Sequence, residues 1–286
     1  MIPIQAKADC LPFPPMSPSA YNHNSILNLD CSNTSEDLYT MPFTTRKFGP
    51  LNCQIYDNLP ADQSPDIIAI VSHGFGAPGD DLVPLGPEIL RNQPQISERV
   101  QFIFPAAPLS LLEMGMPGGR AWWMLDVAEL NAAIASGTIR DQRDKTPDGL
   151  IEAGQQLQEF VLAVQQESGL PFSRIVLAGF SQGSMVSTEI AFQLPQPPAA
   201  LVIWSGTLLC EQRWGSLADQ SPRFPVQQSH GTQDPILPYA GAIWLKEMLE
   251  QHDFTVDFSE FVGPHTIPEV AIDKFRKLLS DLTGSL

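Results

Sequence analysis

Residues 174–192 read Arg174-Ile-Val-Leu-Ala178, then Gly179-Phe-Ser-Gln-Gly183, then Ser184-Met-Val-Ser-Thr-Glu-Ile-Ala-Phe192. The first segment is a short apolar run, as expected for a strand buried on both faces. The last segment reads as a helix. Between them, Gly179 and Gly183 bracket Ser181 with residues that lack a Cβ, so the chain can pass from strand to helix in one sharp turn. A serine at that turn holds its hydroxyl above the sheet. The N–H groups opening the next helix then face any negative charge that develops beside it. A G-x-S-x-G string alone occurs by chance; its meaning here comes from the strand before it and the helix after it.

The same alternation extends outward from this turn. Strand candidates are Leu51–Tyr56, Ile67–Ser72, Val100–Phe104, Arg174–Ala178, Ala200–Trp204, Val226–Ser229 and Thr255–Phe261. Helix candidates are Leu82–Asn92, Val127–Ser136, Asp148–Glu167, Gln182–Gln193, Pro238–His252 and Ile267–Leu279, with Thr146-Pro147 as the expected start signal of the third. Strands alternating with helices imply an α/β fold with a mostly parallel sheet covered on both sides. Leu109–Leu125 breaks the pattern, being apolar but punctuated by Gly and Pro. Residues 1–40, rich in Pro, Ser and Asn, read as an irregular N-terminal extension, and 41–286 as the catalytic domain.

Composition removes several classes of function. The 286 residues carry 32 Asp and Glu against 16 Lys and Arg, a formal net charge of -16. Such a surface repels phosphate backbones, so nucleic acid is not an expected partner. No run reaches the roughly 20 apolar residues that a membrane span requires. Cys10, Cys31, Cys53 and Cys210 form no CxxC pair and show no Cys/His ligand spacing, which argues against a metal site. Cys10 and Cys31 are near enough in sequence to suggest a local loop, but free thiols in a reducing compartment are the plainer reading. With no basic region followed by an apolar run at the N-terminus, the expected location is the cytoplasm.

A serine nucleophile needs a base, and the base needs a carboxylate to orient it. His265, in Gly263-Pro-His-Thr-Ile-Pro268, lies in a loop after the last strand and is the expected base. His252 closes a helix, and His230 precedes the acid it would need. Asp234, in the tight loop His230-Gly-Thr-Gln-Asp-Pro235, is the expected acid, with Asp253 and Asp257 as rivals in less suitable places. The oxyanion donors are expected to be the backbone N–H groups of Gln182 and of Phe75, in the loop His73-Gly-Phe-Gly76. His73 is expected to brace that loop.

Taken in order, His73-Gly-Phe-Gly76, Phe104-Pro-Ala-Ala-Pro108, Gly118-Gly-Arg-Ala-Trp122, Gly179-Phe-Ser-Gln-Gly183, His230-Gly-x-x-Asp-Pro235 and Pro264-His265 resemble the phospholipase/carboxylesterase family. The resemblance covers roughly residues 40–282. It implies an α/β-hydrolase fold with Ser181, Asp234 and His265 as a triad, Phe75 and Gln182 as oxyanion donors, and no metal or organic cofactor. The activity implied is hydrolysis of carboxylic esters of short to medium acyl length. A thioesterase, a lysophospholipase or a non-catalytic ligand-binding module are the alternatives. Leu112, Met114, Trp122, Trp123, Leu208 and Ile236 are the expected substrate-binding residues, although the apolar 109–125 loop reads equally well as core under a long loop. The expected partner is a small-molecule ester, with no integral membrane segment and a homodimer as the assembly to test. The extension and the 109–123 loop depart from the family pattern.

Overall fold

The computed structural model describes residues 43–284, so the expected extension, with Cys10 and Cys31, lies outside the described residues. The chain first lays down β1 (Thr44–Phe48), β2 (Leu51–Tyr56) and β3 (Ile67–Ser72), then α1 (Leu85–Leu90), α2 (Pro94–Ser97) and β4 (Val100–Pro105). The irregular loop holds a small ladder of β5 (Leu109–Ser110) with β6 (Arg120–Ala121), followed by α3 (Val127–Ser136) and α4 (Leu150–Ser168). Next come β7 (Ile175–Phe180), α5 (Gln182–Ala191), β8 (Ala200–Trp204) and α6 (Glu211–Gln220). The chain closes with β9 (Val226–Gly231), α7 (Tyr239–Gln251), β10 (Val256–Phe261) and α8 (Glu269–Gly284).

These strands form an eight-stranded sheet in the order β1-β2-β4-β3-β7-β8-β9-β10. The β1–β2 and β2–β4 pairs are antiparallel and every later pair is parallel. The apolar runs follow from this position. Ile68 and Ile70 of β3 pack into one core with Phe160 and Ile190, while Ile67, Ala69 and Val71 pack into the other with Phe102, Trp204 and Phe275. A strand covered on both faces has no polar side to show. The helix α5 is buried at every position. Its Glu189 carboxylate, 1% exposed, is paired with Arg213 and accepts the Trp214 indole N–H at 2.7 Å, tying α5 to α6.

Local boundaries depart from the sequence reading where polar pattern hides an element. The edge strand β1 is Thr-Thr-Arg-Lys-Phe and almost wholly exposed, and α6 buries only Trp214, Gly215 and Ala218, so neither is rich in apolar residues. Thr146-Pro147 does not cap α4. That helix starts after Gly149, which takes a left-handed φ of 89°, and the Leu150 N–H reaches Pro147 O at 3.1 Å. The final helix starts after Pro268 and runs past Leu279 to Gly284.

The tightest contact in the sheet is where β3 ends against the start of α5. A Cβ on Gly183 would lie 2.1 Å from Ser72 O and 2.4 Å from His73 O; one on Gly179 would lie 2.4 Å from Gly183 O. Both obstacles are backbone, which cannot swing aside. Gly183→Ala should therefore cost more than about 3 kcal/mol or prevent folding. Gly137→Ala, at a left-handed φ of 65° with open space around it, should cost only about 1 kcal/mol. Urea melts of the two variants check the contrast, and similar costs would contradict it.

Candidate active site

Four strand ends converge at the carboxyl edge of the sheet, where open α/β sheets hold their ligands. Ser181 follows β7, His73 to Phe75 follow β3, Asp234 follows β9 and His265 follows β10. Ser181 takes φ 54° and ψ -122°, an unfavourable conformation for a residue with a side chain, and its N–H is held by Trp204 O at 2.9 Å. Ser181, His265, Phe75 and Gln182 all line one cavity of about 590 Å³.

The His265 ring is fixed from behind. Its Nδ1 lies 2.6 Å from Asp234 Oδ2, and its ring packs against Phe180 at 4.7 Å between centroids. Asp234 is fixed in turn: its Oδ1 accepts the Ile236 and Leu237 N–H groups at 2.8 and 2.9 Å, and its side chain is 0% exposed. Burial alone would raise this carboxyl. The hydrogen bonds and electrostatic pull of His230 and His265 outweigh that and hold it well below the ordinary carboxylate range. An ionised Asp234 requires Nδ1 of His265 to carry a proton, which leaves the Nε2 lone pair free to accept one. Ser181 Oγ makes no hydrogen bond to His265 among the described residues; such bonds commonly tighten only when substrate is bound. The rival acids are elsewhere, with Asp257 paired to Lys274 and Asp253 in the turn after α7.

His230 is the residue that sequence order set aside and the structure brings in. It is fully buried, with Nε2 2.7 Å from Leu237 O and 3.3 Å from Asp234 Oδ2. The order argument separates it from the base position but gives no sign that it shares the carboxylate. Proximity in the His-Gly-x-x-Asp string was the available signal.

A web of bonds holds the Phe75 loop against the start of α5. His73 Nε2 accepts the Ala107 N–H at 3.0 Å, so its Nδ1–H donates to Gly74 O at 2.8 Å. Gly76 N–H donates to Arg120 O and Arg120 N–H to Ala77 O, each at 2.9 Å. The Arg120 guanidinium donates to Ala107 O and Pro108 O instead of pairing with Asp126, whose carboxylate caps α3. The Gln182 side chain accepts the Trp122 N–H at 2.9 Å and donates to Trp123 O at 2.8 Å.

Of the expected substrate-binding residues, Trp123 and Ile236 line the cavity. Trp122 does not: it is 1% exposed, and its indole N–H donates to His73 O at 2.9 Å, so it braces the loop from beneath. Leu208 is likewise core, while its neighbours Thr207 and Leu209 line the cavity. Leu112 and Met114 stand on an exposed 3-10 turn, 63% and 37% accessible, outside the lining. Further lining that sequence reasoning missed comes from α3 and residues 140–148, including Leu130, Arg140 and Lys145. That stretch reads as an ordinary polar connection, and no local signal marks it as a wall. Among the described residues no group of His, Cys, Asp or Glu could hold a metal ion.

Burial pushes the His73 imidazole down to about 4, against the raising effect of its bond to Gly74 O. An unfolded histidine titrates near about 6.5, so the stability contributed by neutral His73 is complete above that pH. It is lost as pH falls toward 4, by up to about 3 kcal/mol. The stability difference between the parent and His73→Asn, from urea melts, should shrink by that order across this window. A difference independent of pH would remove His73 from the acid sensitivity of the fold.

Comparison with known proteins agrees with this architecture. Residues 60–282 match the Phospholipase/Carboxylesterase family model. Acyl-protein thioesterase 1 of Candida albicans is 25% identical over 231 residues, spanning 78% of this chain and 96% of the relative. The crystal structure of esterase PE8 superposes with a TM-score of 0.69 at 24% identity, over 81% of this chain and 99% of that one. A Bacillus cereus carboxylesterase superposes at 0.55 with 17% identity, over 87% and 100% of the two chains. With its parallel sheet, helices on both faces and more than three quarters of its length matched, the chain belongs to the phospholipase/carboxylesterase family of serine hydrolases.

Proposed function

We propose that this hydrolase cleaves carboxylic esters of short to medium acyl length through Ser181, His265 and Asp234. The observation that carries the reading is the 2.6 Å bond between a buried, ionised Asp234 and His265, which lines the same cavity as the strained Ser181. His265 takes the Ser181 proton as Oγ attacks the ester carbonyl. The backbone N–H groups of Phe75 and Gln182 stabilise the resulting oxyanion, each donor contributing about 3 kcal/mol in the transition state. His265 then protonates the leaving alcohol, and in the second half-reaction activates a water that frees the acid from Ser181. Asp234 holds the imidazole tautomer and stabilises the imidazolium throughout. None of these steps calls for a metal or an organic cofactor.

The cavity supports a small-molecule ester as the substrate. About 590 Å³ falls within the range of small-molecule sites, and Phe180, Met185, Leu209 and Leu130 offer apolar surface to an acyl chain. The curated relatives named acyl-protein thioesterase favour a second reading, thioester hydrolysis by the same acyl-enzyme route. Rates on matched esters and thioesters separate the two.

Hydrolysis of p-nitrophenyl esters from acetate to palmitate should peak at short to medium chains. Ser181→Ala should lower kcat/KM by at least about a thousandfold while the protein stays folded. Turnover by Ser181→Ala equal to the parent would eliminate Ser181 as nucleophile. Failure of a serine-directed phosphonate to label the parent would favour the ligand-binding module instead.

A further inference from the structure

The cavity has a wall whose charged groups the reaction at Ser181 does not use. It comes from one continuous stretch, residues 123–148, and it carries Arg140 and Lys145 beside Asp126, Glu129 and Asp148. The acids have tasks already. Asp126 accepts the Glu129 N–H at 2.8 Å and caps α3. Asp148 stands just ahead of α4, where a helix favours negative charge. Glu129 faces Arg140.

The cations are less well satisfied. Arg140 Nη2 lies 3.5 Å from Glu129 Oε2, beyond the length of a strong charge-assisted hydrogen bond. The Arg140 side chain is only 17% exposed, whereas its Glu129 partner is 53% exposed. Arg140 Nε is buried without any hydrogen-bond partner. Lys145 is exposed on the same cavity and has no ion pair among the described residues. A guanidinium cannot shed its proton, so a largely buried one with unused donors is unfavourable until an anion completes it.

We infer that Arg140, with Lys145 adding charge, forms a carboxylate-binding subsite within the substrate cavity. The preferred substrates are then esters that carry a carboxylate several atoms from the scissile carbonyl. The guanidinium fork matches a carboxylate with two parallel N–H bonds, and Leu130, Met185 and Leu209 in the same lining suit the intervening methylenes. For its chemistry this inference rests on the Ser181 reading; for binding it does not. A carboxylate on the acyl side and one on the alcohol side offer Arg140 the same chemistry, so the test has an arm for each.

In the acyl arm, monomethyl suberate is compared with methyl octanoate. In the alcohol arm, the butyrate ester of hydroxyhexanoate is compared with hexyl butyrate. The parent should favour the charged ester in at least one arm. Arg140→Gln should lower that charged-to-neutral ratio of kcat/KM by about tenfold or more, and Arg140→Lys should restore part of it. Free suberate should raise the melting temperature of the parent but not of Arg140→Gln, a readout that needs no turnover and also reports that the variant folds. A ratio unchanged by Arg140→Gln, or equal suberate shifts in both proteins, would overturn the subsite. If the parent cleaves no ester at all, the Ser181 reading fails, and the suberate shift alone decides the subsite.

Discussion

The approach of β3 to the first turn of α5 sets the geometry of everything at the carboxyl edge. Gly183 is pressed against Ser72 O and His73 O, the helix begins one residue after the serine, and the serine takes a positive φ. Such a conformation is unfavourable by about 1–3 kcal/mol and persists only where the surroundings over-determine it. Here they do: β7 is buried throughout, α5 is buried throughout, and Trp204 O holds the Ser181 N–H. The strain is thus supported by two elements buried at every position.

From that contact the rest of the site is assembled by loops that brace one another. Gln182 is tied to the backbone of Trp122 and Trp123, Trp122 to His73 O, and His73 to Ala107. The Phe75 loop and the start of α5 therefore belong to one hydrogen-bonded assembly beside Ser181. On the far side, Asp234 is an ion in a buried place, and it is kept ionised by two backbone N–H groups and two histidines. A fully satisfied buried carboxylate orients its partners well, and removing one partner leaves a charge uncompensated.

The cavity wall obeys a different logic. The helix α3 buries a single residue, Leu130, and that residue lines the cavity, so the helix contributes to the site more than to the core. The stretch after it is tied to the start of α6 by bonds from Cys210 N–H to Gln142 O and from Glu211 N–H to Arg143 O. It is also where Arg140 comes to be buried with donors to spare.

The sequence by itself determined the sheet and the chemical groups at its edge. Apolar runs such as Ile67–Ser72 can be covered only from both sides, and Gly179 and Gly183 around Ser181 permit only a sharp strand-to-helix turn. Asp234 and His265 were legible because they sit in loops directly after strands, where chain order fixes their place. The lining of the cavity was not legible. Trp122, Leu112 and Met114 look like a groove wall in the sequence, but an apolar residue in an irregular loop can face the core, the solvent or a ligand with the same local pattern. Tertiary packing turned Trp122 inward as a brace, left Leu112 and Met114 on the surface, and brought the polar stretch 140–148 onto the cavity. Periodicity reports the face an element buries; it carries no information about which distant loop will cover a site, because that choice is made by contacts between segments far apart in the chain.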